Sequence, residues 1–278
     1  MRNRVIVSKN SVLTDITTSV IDYNNQSNYV VDIDENDAIY IGQYFAFNHL
    51  YFKLGALNSE SISINVQTWD GSNWNDVVDI LDETNGLQAS GHITWTPNKI
   101  KAWGRDDTVG SNGNERVTGL GDVTIYDRYW VKVTVSAAVT NTTALGWIGQ
   151  LFCNDNDLEA EIPDFGSSNY KTAYKTGKTD WEEQCVTGSN KVVDALKSAN
   201  IIQGEGQILD RYMFKDAAVH RTAAIIFSAF GDDYEDQRKL AMSDFHAAMK
   251  TGYLNIDKND NAILDDHETR TRQNYLIR

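Results

Sequence analysis

Apolar and polar residues alternate through 61–69, 93–96 and 123–135, and this period of two ends soon after residue 150. From about Trp181 to Lys250 apolar residues instead recur every three or four positions. Side chains along a strand change face at each step, whereas those along a helix return to one face after three or four. The change of period therefore divides the chain into a β-rich front half and a helical rear half. With 278 residues, 41% of them hydrophobic, the chain can support two cores. The expected organisation is a β-domain over 1–160, a linker over 161–178, a helical bundle over 179–252, and a hairpin with a tail arm over 253–278.

The front half reads as an antiparallel β-sandwich of jelly-roll type. In SISINVQTW (61–69), Ile62, Ile64, Val66 and Thr68 fall on one face and Asn65, Gln67 and Trp69 on the other. Asp70-Gly71 follows, the dipeptide of tight hairpin turns, and Trp74–Leu81 resumes as the next strand. Gly91–Thr96 ends at Pro97, which has no N–H to give a ladder. Glycine-rich 104–122 is a long loop. Tyr126–Ser136 sets Tyr129, Val131, Val133 and Val135 opposite Trp130, Lys132 and Thr134. Tyr29–Ile33, Ala38–Ile41, Leu50–Leu54 and Ala144–Phe152 supply further strands, and short strands at this spacing imply a sandwich.

Acidic Asn154–Glu161 and then Pro163–Ser168 read as a domain boundary. Thr179-x-x-Glu182 has the form of a capping box opening a helix whose stripe is Trp181, Cys185, Val192, Val193 and Leu196, with Gly188-Ser189 as a place to kink. A second helix, from Gln207 or Asp210 to Phe230, is apolar almost all round over Ala223–Phe230, so it needs cover on several sides. That need implies identical copies sharing apolar flanks. Gly231 stops it. The acids Asp232, Asp233 and Glu235 open a third helix that runs to Gly252. Three helices with short connections make an antiparallel bundle.

WDGSNW (69–74), DETNGLQASGHITWTP (82–97), Trp103 and YDRYWVKVTVSAAVT (126–140) together resemble a β-sandwich module of tailed-bacteriophage virion proteins, over about residues 45–150. The helical pair followed by KTGYLNIDKNDNAIL and a basic tail resembles the head–tail connector (adaptor) proteins of the same phages, over about 165–278. These resemblances imply a ring of twelve copies beneath a portal protein, contacts with tail proteins, and an extended C-terminal arm accepted by a neighbour or the portal.

DKNDNAILDDHE (257–268) places Asp257, Asn259, Asn261, Ile263, Asp265 and Glu268 at the first, third, fifth, seventh, ninth and twelfth positions, the oxygen-donor spacing of a calcium loop. Ala262 stands where such a loop has glycine. The competing reading is an Asx-rich turn between two strands, with no cofactor. Arg270, Arg272 and Arg278 around Tyr275, Leu276 and Ile277 form a basic and apolar tail suited to docking on a neighbour or the portal. The five histidines (His49, His92, His220, His246, His267) are scattered, and no nucleophile elbow, zincin helix or phosphate loop occurs. Cys153 and Cys185 fall in different expected modules, which indicates two separate buried thiols. Trp69, Trp74, Trp95, Trp103 and Trp130 are either core residues or stacking platforms, with Trp103 and Trp74 the candidates for a glycan or partner contact.

A net charge of −14 opposes wrapping of duplex DNA and fits either a soluble surface or the wall of a channel through which DNA slides. No apolar run reaches the length of a signal peptide or a membrane span. The expectation is a non-catalytic virion protein, made in the host cytoplasm, that joins portal to tail as a homo-oligomeric ring and passes viral DNA without sequence-specific binding or membrane contact. The alternative is a tail or appendage protein with a carbohydrate-binding sandwich.

Overall fold

Val5, Ile6 and Val7 are buried in succession, so both faces of the first strand are covered. β1 (Arg4–Lys9) turns back into β2 (Val12–Asp15) through Asn10 and Ser11 at φ 50° and 64°, a two-residue turn of the kind that matches the twist of a hairpin. The computed structural model describes residues 3–24, 27–98, 100–101, 103–250, 253–265, 268 and 271–272. The chain divides into two compact units, Met1–Gly149 with Asn259–Ile263, and Gln150–Lys258 with Leu264–Arg278. The break thus falls before the acidic stretch.

After a short helix α1 (Thr17–Val20), the first unit continues through β3 (Tyr29–Val30), β4 (Ala38–Gln43), β5 (His49–Ala56), β6 (Ile64–Trp69), β7 (Trp74–Asp76), β8 (Val78–Asp82), β9 (Gly91–Thr96), β10 (Arg105–Asp106), β11 (Arg128–Val135) and β12 (Ala144–Gly149). They form two antiparallel sheets. One runs β2-β1-β4-β11-β6-β7, with β10 also on β11; the other runs β3-β12-β5-β9-β8. The strand expected over Trp74–Leu81 is two strands in different sheets. β7 pairs with β6, and β8 pairs with β9. Asp79 at φ 53° lies within β8, at the irregularity in its pairing between Val78 and Leu81.

Val131, Val133 and Val135 lie on one face of the first sheet, in register with Thr68, Val66 and Ile64 of β6, and all six are buried. The opposite face is also covered. Ile6, Ala38, Tyr40, Trp69 and Trp130 pack there against Val117, Leu120 and Ile125 of the long loop. Gly42 sits under the Trp130 ring, where an added Cβ would lie 2.7 Å from the indole.

The second unit holds α2 (Asp155–Glu161), a 3₁₀ turn (Pro163–Gly166), α3 (Ser168–Tyr174), α4 (Glu182–Ser198), 3₁₀ turns at Glu205–Gln207 and Arg211–Phe214, α5 (Lys215–Phe230), a 3₁₀ turn (Asp232–Tyr234) and α6 (Glu235–Ala248). The expected linker is therefore largely helical. Asn154 caps α2 in a reciprocal box with Asp157, each side chain accepting the other's backbone N–H. The box expected at Thr179 does not form. The Thr179 hydroxyl donates to Asp180, and α4 begins after Trp181 without a side-chain cap. α4 runs unbroken through Gly188-Ser189. Ala223, Ala224, Ile226 and Phe227 are buried within the single chain. Lateral copies are thus not needed to cover these four, whereas Ser228 and Ala229 of the same run are exposed. β13 (Tyr253–Leu254) pairs antiparallel with β14 (Thr271–Arg272).

Candidate functional site

Four tryptophans of the first unit, Trp69, Trp74, Trp103 and Trp130, are held by ring contacts and indole hydrogen bonds. Trp69 pairs directly with Trp74 across the hairpin, their ring centroids 5.3 Å apart. Asp70 builds the turn between them, its Oδ1 accepting from Ser72 N at 2.8 Å and Asn73 N at 2.7 Å. Burial pushes the Asp70 carboxyl up, but the bonds from Asn73, Asn75 and Ser72 together outweigh it and hold the carboxyl below the usual carboxylate range.

The indole N–H groups of Trp69, Trp74, Trp103 and Trp130 each find an acceptor in the same unit, whereas that of Trp95 is buried without one among the described residues. Trp74 donates to Thr118 O at 2.8 Å, Trp103 to Trp130 O at 3.2 Å, Trp130 to Asp106 O at 3.3 Å and Trp69 to Asp106 Oδ2 at 3.5 Å. Asp106 is the hub, since its Oδ1 also faces Arg116 at 3.0 Å. The long loop is fastened to the sheet through these bonds. Glu115 accepts from Gly119 N and Gly121 N. Burial, together with the Glu115 charge, pushes the Tyr40 phenol up to about 12.

Trp103 is 6% exposed and packs on Phe47 and Tyr129. The structure makes it a core residue, which corrects its place as a glycan or partner contact. A stacking platform needs an open ring face, and Trp69, Trp95 and Trp130, at 2% exposure or less, also lack one. Trp74 is half-buried over Tyr40. Trp74 and Trp103 sit in separate aromatic contacts.

The C-terminal segment was the other candidate. Arg270, Tyr275, Leu276, Ile277 and Arg278 lie outside the described residues. Arg272 pairs through its backbone with Tyr253. Asp257 and Glu268 are both fully buried. Glu268 Oε1 accepts from Lys258 N at 2.7 Å and Oε2 from Asp265 N at 3.1 Å, so the carboxylate ties the two ends of the loop. Asn261 Oδ1 accepts from Ile263 N at 2.7 Å as an Asx turn, and Ala262 takes φ 55°, the left-handed backbone for which such loops use glycine. An ion taking both Glu268 oxygens would have to replace the two backbone bonds. Among the described residues no group of three or more His, Cys, Asp or Glu is arranged to hold a metal.

No protein-family model matches the chain, and no curated protein matches it significantly.

Sequence reasoning missed a polar site in the second unit. Asp155, in the first turn of α2, accepts from Trp181 N at 2.7 Å and so joins α2 to the start of α4. Burial pushes its carboxyl up to about 6, the Trp181 N–H opposes this, and the Asp180 charge adds to it. Trp181 donates its indole N–H to Phe165 O at 2.8 Å and packs on Phe165 and Tyr174. The Asn-Asp-Asn-Asp run was the available signal, because Asn154 with Asp157 three residues on has the spacing of a helix cap. Among the described residues no helix is long and apolar enough to cross a membrane.

Proposed function

We propose that this chain is a structural protein of a tailed-phage virion, a head-to-tail connector or adaptor that forms a homo-oligomeric ring between the portal and the tail. The observation that carries the reading is the Trp69–Trp74 hairpin, whose W-D-G-S-x-W sequence forms a strand, an Asp70-built turn and a strand beside the Tyr-Trp-Val-Lys-Val strand β11. Those are the residues on which the likeness to virion modules rests. On this reading the two sheets stack as a sandwich, and α4, α5 and α6 act as an antiparallel bundle.

The helical unit would line the ring, and the C-terminal hairpin, with the arginine tail beyond it, would engage the portal or a neighbouring copy. The net charge of −14 supports a wall along which DNA passes without adhering. Because Ala223–Phe227 is largely covered within one chain, contacts between copies would use other surfaces.

The test is to mix the purified chain with its portal protein and measure mass and symmetry by native mass spectrometry and electron microscopy. A ring seated on the portal is expected. A chain that stays monomeric and ignores the portal would sink the assignment.

A further inference from the structure

We infer that Cys153 and Cys185 form a latent disulfide site within the second unit. The sequence placed these two cysteines in separate modules, but both belong to this unit. Phe152 N donates to Ser189 Oγ at 3.1 Å, which presses the segment carrying Cys153 against α4. Ser189 and Cys185 are four residues apart on α4 and therefore share a face. Cys153 Sγ lies 3.7 Å from Thr222 Oγ1 on α5, and Thr222 Oγ1 in turn reaches Gln184 O at 3.4 Å. Cys153 is thus fixed at the level of residues 184–189 from two sides. Cys185 belongs to that same stretch of α4, and both residues are wholly buried and unbridged.

The same surroundings keep the pair unreacted in the folded chain. The neighbouring Cys153 thiol pushes the Cys185 thiol up, burial adds to this, and a thiol without its thiolate is a poor nucleophile. Reaction needs an opened or not yet packed unit and a disulfide oxidant such as oxidised glutathione. One cysteine thiolate attacks a glutathione sulfur and expels one glutathione thiolate. The second cysteine thiolate then attacks the protein sulfur of that mixed disulfide and expels the other. One protein S–S bond forms, one glutathione S–S bond breaks, and the two cysteine protons end on two reduced glutathiones. The bridge would enclose residues 154–184, including α2 and α3, and would restrict the unfolded chain.

The experiment incubates the full chain with oxidised glutathione at a urea concentration just below its unfolding midpoint. The reaction is quenched with acid, and free thiols are alkylated before mass analysis. The expected product is a monomer lighter by two hydrogens, with no alkylation and a peptide linking Cys153 to Cys185. Its urea midpoint should exceed that of the reduced chain. Closure should also be faster just below the midpoint than in fully denaturing urea, where only random encounter operates. Cys185→Ser should give no internal link while keeping its native circular dichroism. Separate glutathione adducts on the two cysteines, links between chains, equal closure rates in the two solvents, or a bridged form with a lower midpoint would each overturn the assignment.

Discussion

Asp155 has two opposed roles. It accepts the Trp181 N–H that ties α2 to α4, yet it is buried enough that its carboxyl titrates at about 6. An aspartate in the unfolded chain titrates near 3.9, so between these values the folded chain keeps a proton that the unfolded chain releases. The stability from this group is complete below about pH 4 and is lost as pH rises through about 6. Asp155→Asn keeps the acceptor and removes the charge. It is expected to be more stable than the parent by about 1–2 kcal/mol at pH 7 after a discount for partial solvent screening, and equal to it near pH 4. Urea midpoints of both chains across this range check the sign. A less stable Asn variant at pH 7 would show that the charged acceptor outweighs its own desolvation. Asp106 makes the comparison at a hub of charge. Asp106→Ala removes the partner of Arg116 and the side-chain acceptor of Trp69, and is expected to cost roughly 2 kcal/mol. It should also speed proteolytic cleavage within 104–127. Unchanged cleavage would mean that the loop is held by its apolar contacts alone.

At the scale of elements, the close approach of α4 and α5 depends on one glycine. A Cβ at Gly188 would lie 2.1 Å from Thr222 Oγ1 and 3.1 Å from Ala218 O, so the helices would have to separate. Gly188→Ala improves helix propensity but is expected to destabilise by roughly 1–3 kcal/mol through overpacking, as read by thermal or urea unfolding. A neutral or stabilising result would show that Thr222 can swing clear. This glycine also marks a limit of sequence reading. Gly188-Ser189 looks like a place to kink, and it is instead where a second helix passes. The stripe Trp181, Cys185, Val192, Val193 and Leu196 was legible, and all five residues are buried, because a helix covered on one face writes its period into the sequence. The helix start was less legible. The Thr179 box is a local pattern, and the tertiary bond from Asp155 to Trp181 N replaces it. β1 escaped notice for a related reason, since covering both faces leaves a short apolar run and no alternation. The aromatic site was legible as a group of residues and not as an arrangement. Nothing local in the sequence says that the long loop will fold back over Trp69 and Trp130 and take their indole N–H groups.

For the whole molecule the strongest constraint is charge. With 39 acidic residues against 25 basic ones, the net charge of −14 sets a repulsive far field toward nucleic acid. A protein binds duplex DNA nonspecifically by placing lysines and arginines on phosphates and releasing counterions, so its affinity rises steeply as salt is lowered. The described salt bridges spend several of this chain's cations on its own carboxylates, among them Arg105 on Asp127, Arg116 on Asp106 and Lys171 on Glu159. The expected outcome is no retention of duplex DNA by the purified chain even at about 50 mM salt, where counterion release favours binding most. Fluorescence anisotropy with labelled duplexes of unrelated sequence checks this. Binding that tightens on dilution of salt would place a concentrated basic surface on the molecule and would contradict a channel wall that lets DNA slide.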